Sequence, residues 1–279
     1  MTAFTRTEYM TLASMPVSRW RGVSERLHVD DIAEEVPVAL EYNGISHAVM
    51  LASPADLEHF ALGFSLSEGI VQSRGEIFEC DVVETALGIR VSMRIASERM
   101  AALKERRRNL TGRTGCGLCG TESLQHAVRT PPKVKSNVVF GADELDAAFL
   151  HMERVQNLQR RTGATHAAAW LGMGRGIQDV REDVGRHNAL DKLIGAMSRK
   201  QIDFSSGAAL ITSRASYEMV QKAAMLGIGF LAAVSAPTAL AVRLADAAGM
   251  TMVGFARREG HVVYTHPERL IHSECSQTT

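Results

Sequence analysis

Apolar and polar positions alternate with period two over much of the first hundred residues. In EEVPVALEYNGISHAVMLA, residues 34–52, the alternation runs into Asn43-Gly44 and resumes beyond it. Asn and Gly both tolerate positive φ, so the stretch predicts two strands joined by a tight hairpin turn. The spacing then becomes helical in SPADLEHFALGFSLSEG. Ser53 is the expected cap, Pro54 the first helical position and Gly69 the stop. IFECDVVE and GIRVSMRIA return to alternation and predict two further strands. Residues 97–109 predict a helix whose C-terminal end carries Lys104, Arg106, Arg107 and Arg108. Residues 23–111 thus read as a small N-terminal α+β domain behind a flexible tail, residues 1–22.

Residues 112–137 are rich in Gly, Thr and Pro and carry no periodic run, the pattern of a mobile loop. From residue 138 the pattern changes again. A helix is expected near residues 143–160, followed by ATHAAAWLG as strand, GRHNALDKLIGAMSRK as helix and GAALITS as strand. ASYEMVQKAAMLG (helix), GFLAAVSA (strand), TALAVRLADAAG (helix) and TMVGFA (strand) complete the series. Short apolar strands alternating with helices predict right-handed βαβ units and a mostly parallel sheet, an α/β domain over residues 138–279.

Composition narrows the class. Hydrophobic residues make up 46% of the 279 positions and charged residues 22%, as in globular proteins generally. Lys+Arg and Asp+Glu both total 31, so no global field recruits nucleic acid. The start lacks a secretory apolar run, and stretches such as GIGFLAAVSA fall short of the roughly 20 residues needed to span a bilayer. Four cysteines in a chain of this size argue against a disulfide scaffold. A cytoplasmic protein with reduced thiols is expected, with no nucleic acid and no membrane partner.

In an open α/β sheet, ligands gather beyond the carboxyl ends of the strands. Those positions hold Ser213 and Arg214, then Ser235 and Thr238, then Arg257 and Arg258. Hydroxyls and arginines beside helix N-termini suit an anionic, phosphate-bearing ligand. Singly, the same hydroxyls serve as helix caps and the same arginines as surface charge. REDVGRHNALDKL adds Glu182, Asp183, Arg186, His187 and Asn188 where a helix begins. Arg and His oppose the helix dipole there, which calls for a ligand or a carboxylate partner, with an Asp183–Arg186 pair as the structural alternative.

GRTGCGLCG places Cys116 and Cys119 among four glycines. A structural zinc site would need two more ligands, and no suitably spaced pair stands near. The His-x-Glu triplets at His151, His266 and His272 follow the cysteines, whereas zinc deaminases place theirs before Pro-Cys-x-x-Cys. A thioredoxin-type pair opens a helix directly after a strand, which this loop does not. Sulfur carriage suits a mobile loop, and Arg113 with the basic run before it would favour a thiolate. Metal binding, disulfide exchange and sulfur carriage all remain open at this level.

RTGCGLCG, EDVGRHNALDK, TSRASYEMVQKAA, AVSAPTALAV, VGFARREG and VYTHPERL, with residues 33–70, together resemble the formate dehydrogenase accessory sulfurtransferases, the FdhD family. The resemblance covers about residues 33–270, in order. It implies a sulfurtransferase that takes sulfur from a cysteine desulfurase as a persulfide. The sulfur then passes to the molybdenum cofactor, bis-molybdopterin guanine dinucleotide, before that cofactor enters formate dehydrogenase. By motif match Cys116 would bear the persulfide and Cys119 would assist or resolve it. The family's cofactor segment falls on Phe255, Ala256, Arg257, Arg258, Glu259 and Gly260. Ser213, Arg214, Ser235, Thr238 and His187 join the expected cofactor contacts, with Phe255, Tyr217 and Asn188 as guanine candidates. The cofactor is bound as substrate, and no metal of the protein's own is expected. The resemblance further implies a cytidine deaminase-like C-terminal domain, and the cofactor's two halves suggest a homodimer. Cys80 and Cys275 receive no role. A non-catalytic cofactor chaperone with regulatory cysteines, and a nucleotide-binding redox protein with a stable Cys116–Cys119 disulfide, are the competing readings.

Overall fold

The computed structural model describes residues 10–111, 131–257 and 260–272, with only the backbone given for residues 106–111. Strand β1 (Leu12–Arg21) pairs antiparallel with β2 (Ser24–Ala33), from Leu12↔Ala33 to Arg21↔Ser24. The tail expected through residue 22 is therefore a β-ribbon over most of its described length. Met15, Trp20, Leu27 and Val29 on it are exposed. Without a buried face the ribbon carries no clean in-out alternation, so its strands left little mark in the sequence.

β3 (Val36–Tyr42) and β4 (Ile45–Ala52) form the predicted hairpin, with Asn43 and Gly44 at φ 48° and 78°. The Asn43 side chain also fixes this turn to a neighbouring strand. Its amide donates to the Ile95 carbonyl at 3.1 Å, and its carbonyl accepts the Ile95 N–H at 2.8 Å. β5 (Ile77–Thr85) and β6 (Gly88–Ile95) complete a sheet of order β4-β3-β6-β5, in which β3 and β6 run parallel.

Helix α1 covers Leu57–Ser67 and gives way to Gly69 at φ 65°, as expected. Its start differs from expectation. Asp56, at φ 54°, is the N-cap position, and Ser53 lies outside the helix. Ser53 is instead fully buried, donating its N–H to Asp183 and accepting the Val184 N–H on its hydroxyl. A partner 130 residues away thus outcompetes local capping. Helix α2 spans Ser97–Thr111.

After β7 (Phe140–Gly141), the single helix expected near residues 143–160 is two: α3 (Ala142–Val155) and α4 (Asn157–Thr162). The break falls at Gln156, whose side-chain amide donates to the Met152 carbonyl at 3.1 Å. The remaining elements are β8 (His166–Gly172), β9 (Gly176–Asp183), α5 (Arg186–Arg199), β10 (Gly207–Ile211), α6 (Tyr217–Met225), β11 (Phe230–Ala233), α7 (Ala239–Ala248), β12 (Thr251–Arg257), β13 (Gly260–Thr265) and β14 (Leu270–Ile271). β14 pairs with β7.

The central sheet has the order β13-β12-β11-β10-β8-β9. Only β10–β11 and β11–β12 are parallel, and the other three pairings are antiparallel. The expectation of a mostly parallel sheet is corrected accordingly. Three residues separate β8 from β9 and two separate β12 from β13. Connections that short permit only antiparallel return, because a parallel crossover needs a dozen or more residues.

α5, α6 and α7 cover one face of this sheet and α3 the other, each with its own apolar cluster. The first cluster continues into the N-terminal half, joining Val38, Leu40 and Phe60 to Leu190, Ile194 and Ile211. The two halves meet where α1 crosses α5. A Cβ at Gly63 would collide with the Asp191 carbonyl, and one at Gly195 with the His59 carbonyl. Glycine at both positions lets the helix backbones touch.

Candidate functional site at the strand ends

The carboxyl ends of β10, β11 and β12 open onto a cavity of about 740 Å³, on the face covered by α3. Thr212, Val234, Ala256 and Arg257 reach it from the strand ends, and His166 from the start of the antiparallel β8. Phe149 and Met152 of α3 supply an apolar wall. Arg257 is held at the rim, its Nε donating to the Val234 carbonyl at 3.3 Å. Burial depresses the His166 pKa, and the charge of Arg186 pushes it the same way. A neutral imidazole therefore faces the cavity at neutral pH.

Around Arg257 the backbone departs from a regular strand. The β12–β13 register slips between Gly254 and Arg257, and Phe255 adopts φ 52° and is 44% exposed. Positive φ at an aromatic residue is an outlier that the surroundings must hold in place. Here the Phe255 N–H donates to the Ser235 carbonyl at 3.3 Å. Ala256 points inward and is 1% exposed. Gly260, at φ 143°, pairs with Arg257 across the turn. Arg258 and Glu259 lie outside the described residues, as do Cys116, Cys119 and Cys275.

Of the described residues expected at the site, Ala256 and Arg257 line this cavity, while Phe255, Gly260, Ser213, Arg214, Ser235, Thr238 and His187 do not. Thr238 caps α7, its hydroxyl accepting the Ala241 N–H at 3.3 Å. The Ser213 hydroxyl donates to the Arg214 carbonyl at 3.1 Å, and the Arg214 side chain faces solvent. Helix capping accounts for Thr238 without a ligand.

The polar cluster at the start of α5 resolves into distinct roles. Asp183 is fully buried and pairs with Lys192 at 2.6 Å, in place of the alternative partner Arg186. It also accepts the Gly185 N–H at 2.8 Å and the Asn188 amide at 2.9 Å. Asn188 donates as well to the Leu51 carbonyl at 2.8 Å. Its amide nitrogen is thus engaged by the protein. Glu182 accepts the N–H groups of Leu158 and Gln159 and so caps α4. His187 Nε2 lies 2.8 Å from Glu218 Oε2, in ion-pair contact with that carboxylate. Burial lowers its pKa, Glu218 works against that, and Arg186 adds to it.

The sequence reading missed the buried lysines. Lys192 Nζ donates to the Ser53 carbonyl at 2.9 Å, and Lys222 Nζ reaches Asp191, Glu68 and Ser67 at 2.9–3.1 Å. A detectable signal was Lys192 one turn after Asn188, inside an otherwise apolar helix face. Among the described residues no cluster of His, Cys, Asp and Glu forms a metal site. Cys80 is partly buried, and burial pushes its thiol up to about 12. It is therefore protonated and a poor nucleophile at neutral pH.

The model of the FdhD/NarQ family matches residues 33–271. The Sulfur carrier protein FdhD of Cupriavidus necator is 60% identical over 262 residues, 94% of this chain and 91% of that one. Its counterpart in Xanthomonas oryzae pv. oryzae is 53% identical over 255 residues, 91% of this chain and 90% of the relative. A crystal structure assigned as a formate dehydrogenase accessory protein of Desulfotalea psychrophila superposes with a TM-score of 0.73 at 23% identity, covering 94% of this chain and all of the other. At that identity the likeness establishes a shared fold.

Proposed function

The chain belongs to the FdhD/NarQ family, and from that premise we propose that it is a sulfurtransferase acting as a persulfide carrier for formate dehydrogenase. The observation that carries the proposal is identity of 60% along nearly the whole length of a relative named as a sulfur carrier. A cysteine desulfurase is the donor. The Cys116 thiolate attacks the terminal sulfur of the donor's persulfide. A new S–S bond forms as the donor's S–S bond breaks, and the donor cysteine leaves as thiolate, so loading needs no oxidant. For discharge, the Cys119 thiolate attacks the Cys116 sulfur and expels hydrosulfide toward the cofactor. The resulting Cys116–Cys119 disulfide holds the two electrons' worth of oxidation until a thiol reduces it.

The sulfur acceptor is the molybdenum cofactor bis-molybdopterin guanine dinucleotide, bound as substrate before it enters formate dehydrogenase. No helix among the described residues is long and apolar enough to cross a membrane, and the reading places the protein in the cytoplasm. The strand-end cavity, at about 740 Å³, lies within the range of 300–1,000 Å³ typical of ligand pockets. Arg257 would meet a pyrophosphate at its rim, and the exposed ring of Phe255 would stack on a guanine. The segment from Phe255 to Gly260 would follow the ligand's edge, with Ser213, Arg214, Ser235 and Tyr217 beyond the rim. In this reading the central sheet with α3 and α5–α7 is a cytidine deaminase-like domain. A homodimer would present two such sites to the two halves of one cofactor.

The test is mass spectrometry of the intact protein after incubation with a desulfurase and cysteine. One added sulfur is expected on Cys116, lost in Cys116→Ala, and that variant should fail to activate formate dehydrogenase. A Cys116→Ala protein that activates its client fully would overturn the assignment.

A further inference from the structure

Among the described residues β1 and β2 pair only with each other. Their ribbon is fastened at its base, where Asp31 accepts from Arg161 of α4 at 2.7 Å and from the Ser14 hydroxyl at 2.9 Å. From Ser18 to Val29 every residue is exposed. A lone two-stranded hairpin is marginally stable in water, so a ribbon of ten cross-strand pairs calls for a surface to lie on.

The two faces of the ribbon differ. Residues directly opposite each other share a face, and the faces alternate along each strand. The pairs Pro16–Val29, Ser18–Leu27 and Trp20–Glu25 put Trp20, Leu27 and Val29 on one face, at 60%, 86% and 63% exposure. The other face sets Arg19 directly across from Arg26, with Arg21 nearer the turn. Like charges opposed across strands are unfavourable, and Asp30, 3.7 Å from Arg19, answers only one of the three.

The chain itself carries a complement to both faces. β5 is the edge of the N-terminal sheet, with one side of its nine residues unpaired among the described strands. Cys80 and Val82 turn toward the core, while Glu79, Asp81 and the exposed Val83 share the outer face. Set along this edge, the apolar face of the ribbon continues the side of Cys80 and Val82. Its arginines then continue the side of Glu79 and Asp81.

We propose that the β1–β2 ribbon is an exchanged arm: each copy of a homodimer lays its ribbon along the β5 edge of the other. Arg19, Arg21 and Arg26 then face Glu79 and Asp81. Exchange in both directions closes on itself as a two-fold arrangement. Ten residues in each ribbon strand and nine in β5 match the 20–30 residues a side of a standard interface. The acidic edge repels its own copy, which keeps β5 from pairing with β5. The proposal rests on the homodimer of the reading above and assigns its interface.

Sedimentation velocity of the full chain at micromolar concentration, with acrylamide quenching of Trp20, tests the arm. Trp170, the other tryptophan, is fully buried, so quenching reads Trp20. The wild-type protein should be a dimer with Trp20 shielded. Arg19→Glu with Arg26→Glu should raise the dissociation constant about a hundredfold and expose Trp20, because like charges then face each other. Glu79→Lys with Asp81→Lys should do the same. Mixed in equal amounts, the two double variants should form a dimer again, since every arm then meets an edge of opposite charge. A dimer that survives both double substitutions, or a mixture that stays monomeric, overturns the arm and leaves the homodimer standing. A monomeric wild-type protein overturns both. A monomer whose Trp20 is shielded only by anionic phospholipid vesicles gives the ribbon to a lipid surface and also overturns the proposal. Cys116 loading reads the sulfur-carrier function separately and is expected to persist in both double variants.

Discussion

Lys192 and Asp183 form an ion pair, Nζ to Oδ2 at 2.6 Å, with neither side chain reached by solvent. Both partners also bind Ser53, Lys192 through the carbonyl and Asp183 through the N–H. The pair thus ties the segment after β4 to the end of β9 and to α5. Ion pairs of this kind add little net stability when whole and cost much when halved.

Replacing Lys192 by Met should therefore be severe. Asp183 would remain buried with neutral donors alone, at a cost of about 3–5 kcal/mol. Urea denaturation measures it, and a loss below about 1 kcal/mol would show the carboxylate to be content without its cation.

Gly63→Ala tests the helix crossing. The new methyl group meets the Asp191 carbonyl, a backbone atom that can move only with its helix. Destabilisation of about 1–3 kcal/mol or more is expected. Gly75→Ala is the control, since its nearest neighbour would be the Ser73 hydroxyl at an ordinary 3.7 Å. It should be neutral or slightly stabilising in the same assay.

Asp56 predicts an acid dependence. Burial works to raise its carboxyl, but the His59 ring and the Arg181 guanidinium outweigh burial and bring the pKa down to about 2. Because the folded value lies below the unfolded one, the contribution to stability is full above about pH 4 and disappears as pH falls through about 2. It amounts to about 2 kcal/mol after allowance for partial exposure. Wild-type protein should lose that much more stability than Asp56→Asn between about pH 5 and pH 2 by chemical denaturation. Parallel pH profiles for the two proteins would refute it.

Arg257→Ala should weaken GDP about ten- to a hundredfold, as loss of a charged donor does, with wild-type binding falling as salt rises. Arg108→Ala, on the helix before the cysteine segment, should leave GDP affinity unchanged. The reverse pattern in calorimetry would move the nucleotide away from the strand ends.

Local patterns determined the β3–β4 hairpin, the β5 and β6 strands and the helix–strand succession from β10 to β12, because period and turn chemistry act over a few neighbouring residues. They also marked Arg257 at a strand end and the cysteine pair, and the motif order identified the family. What required the tertiary structure was everything settled between residues distant in sequence. Ser53 left its expected cap for Asp183, Asn188 turned to Leu51, and Asp183 chose Lys192 over the nearer Arg186. The glycine contact of α1 with α5 and the antiparallel flanks of the central sheet belong to the same class. A buried polar group takes whichever partner the packed fold brings within reach, and a one-dimensional pattern holds no information on which side chains the fold leaves unpartnered. Ser216 stands at the start of a helix, and only the packing around α5 and α6 left its hydroxyl buried and unpaired.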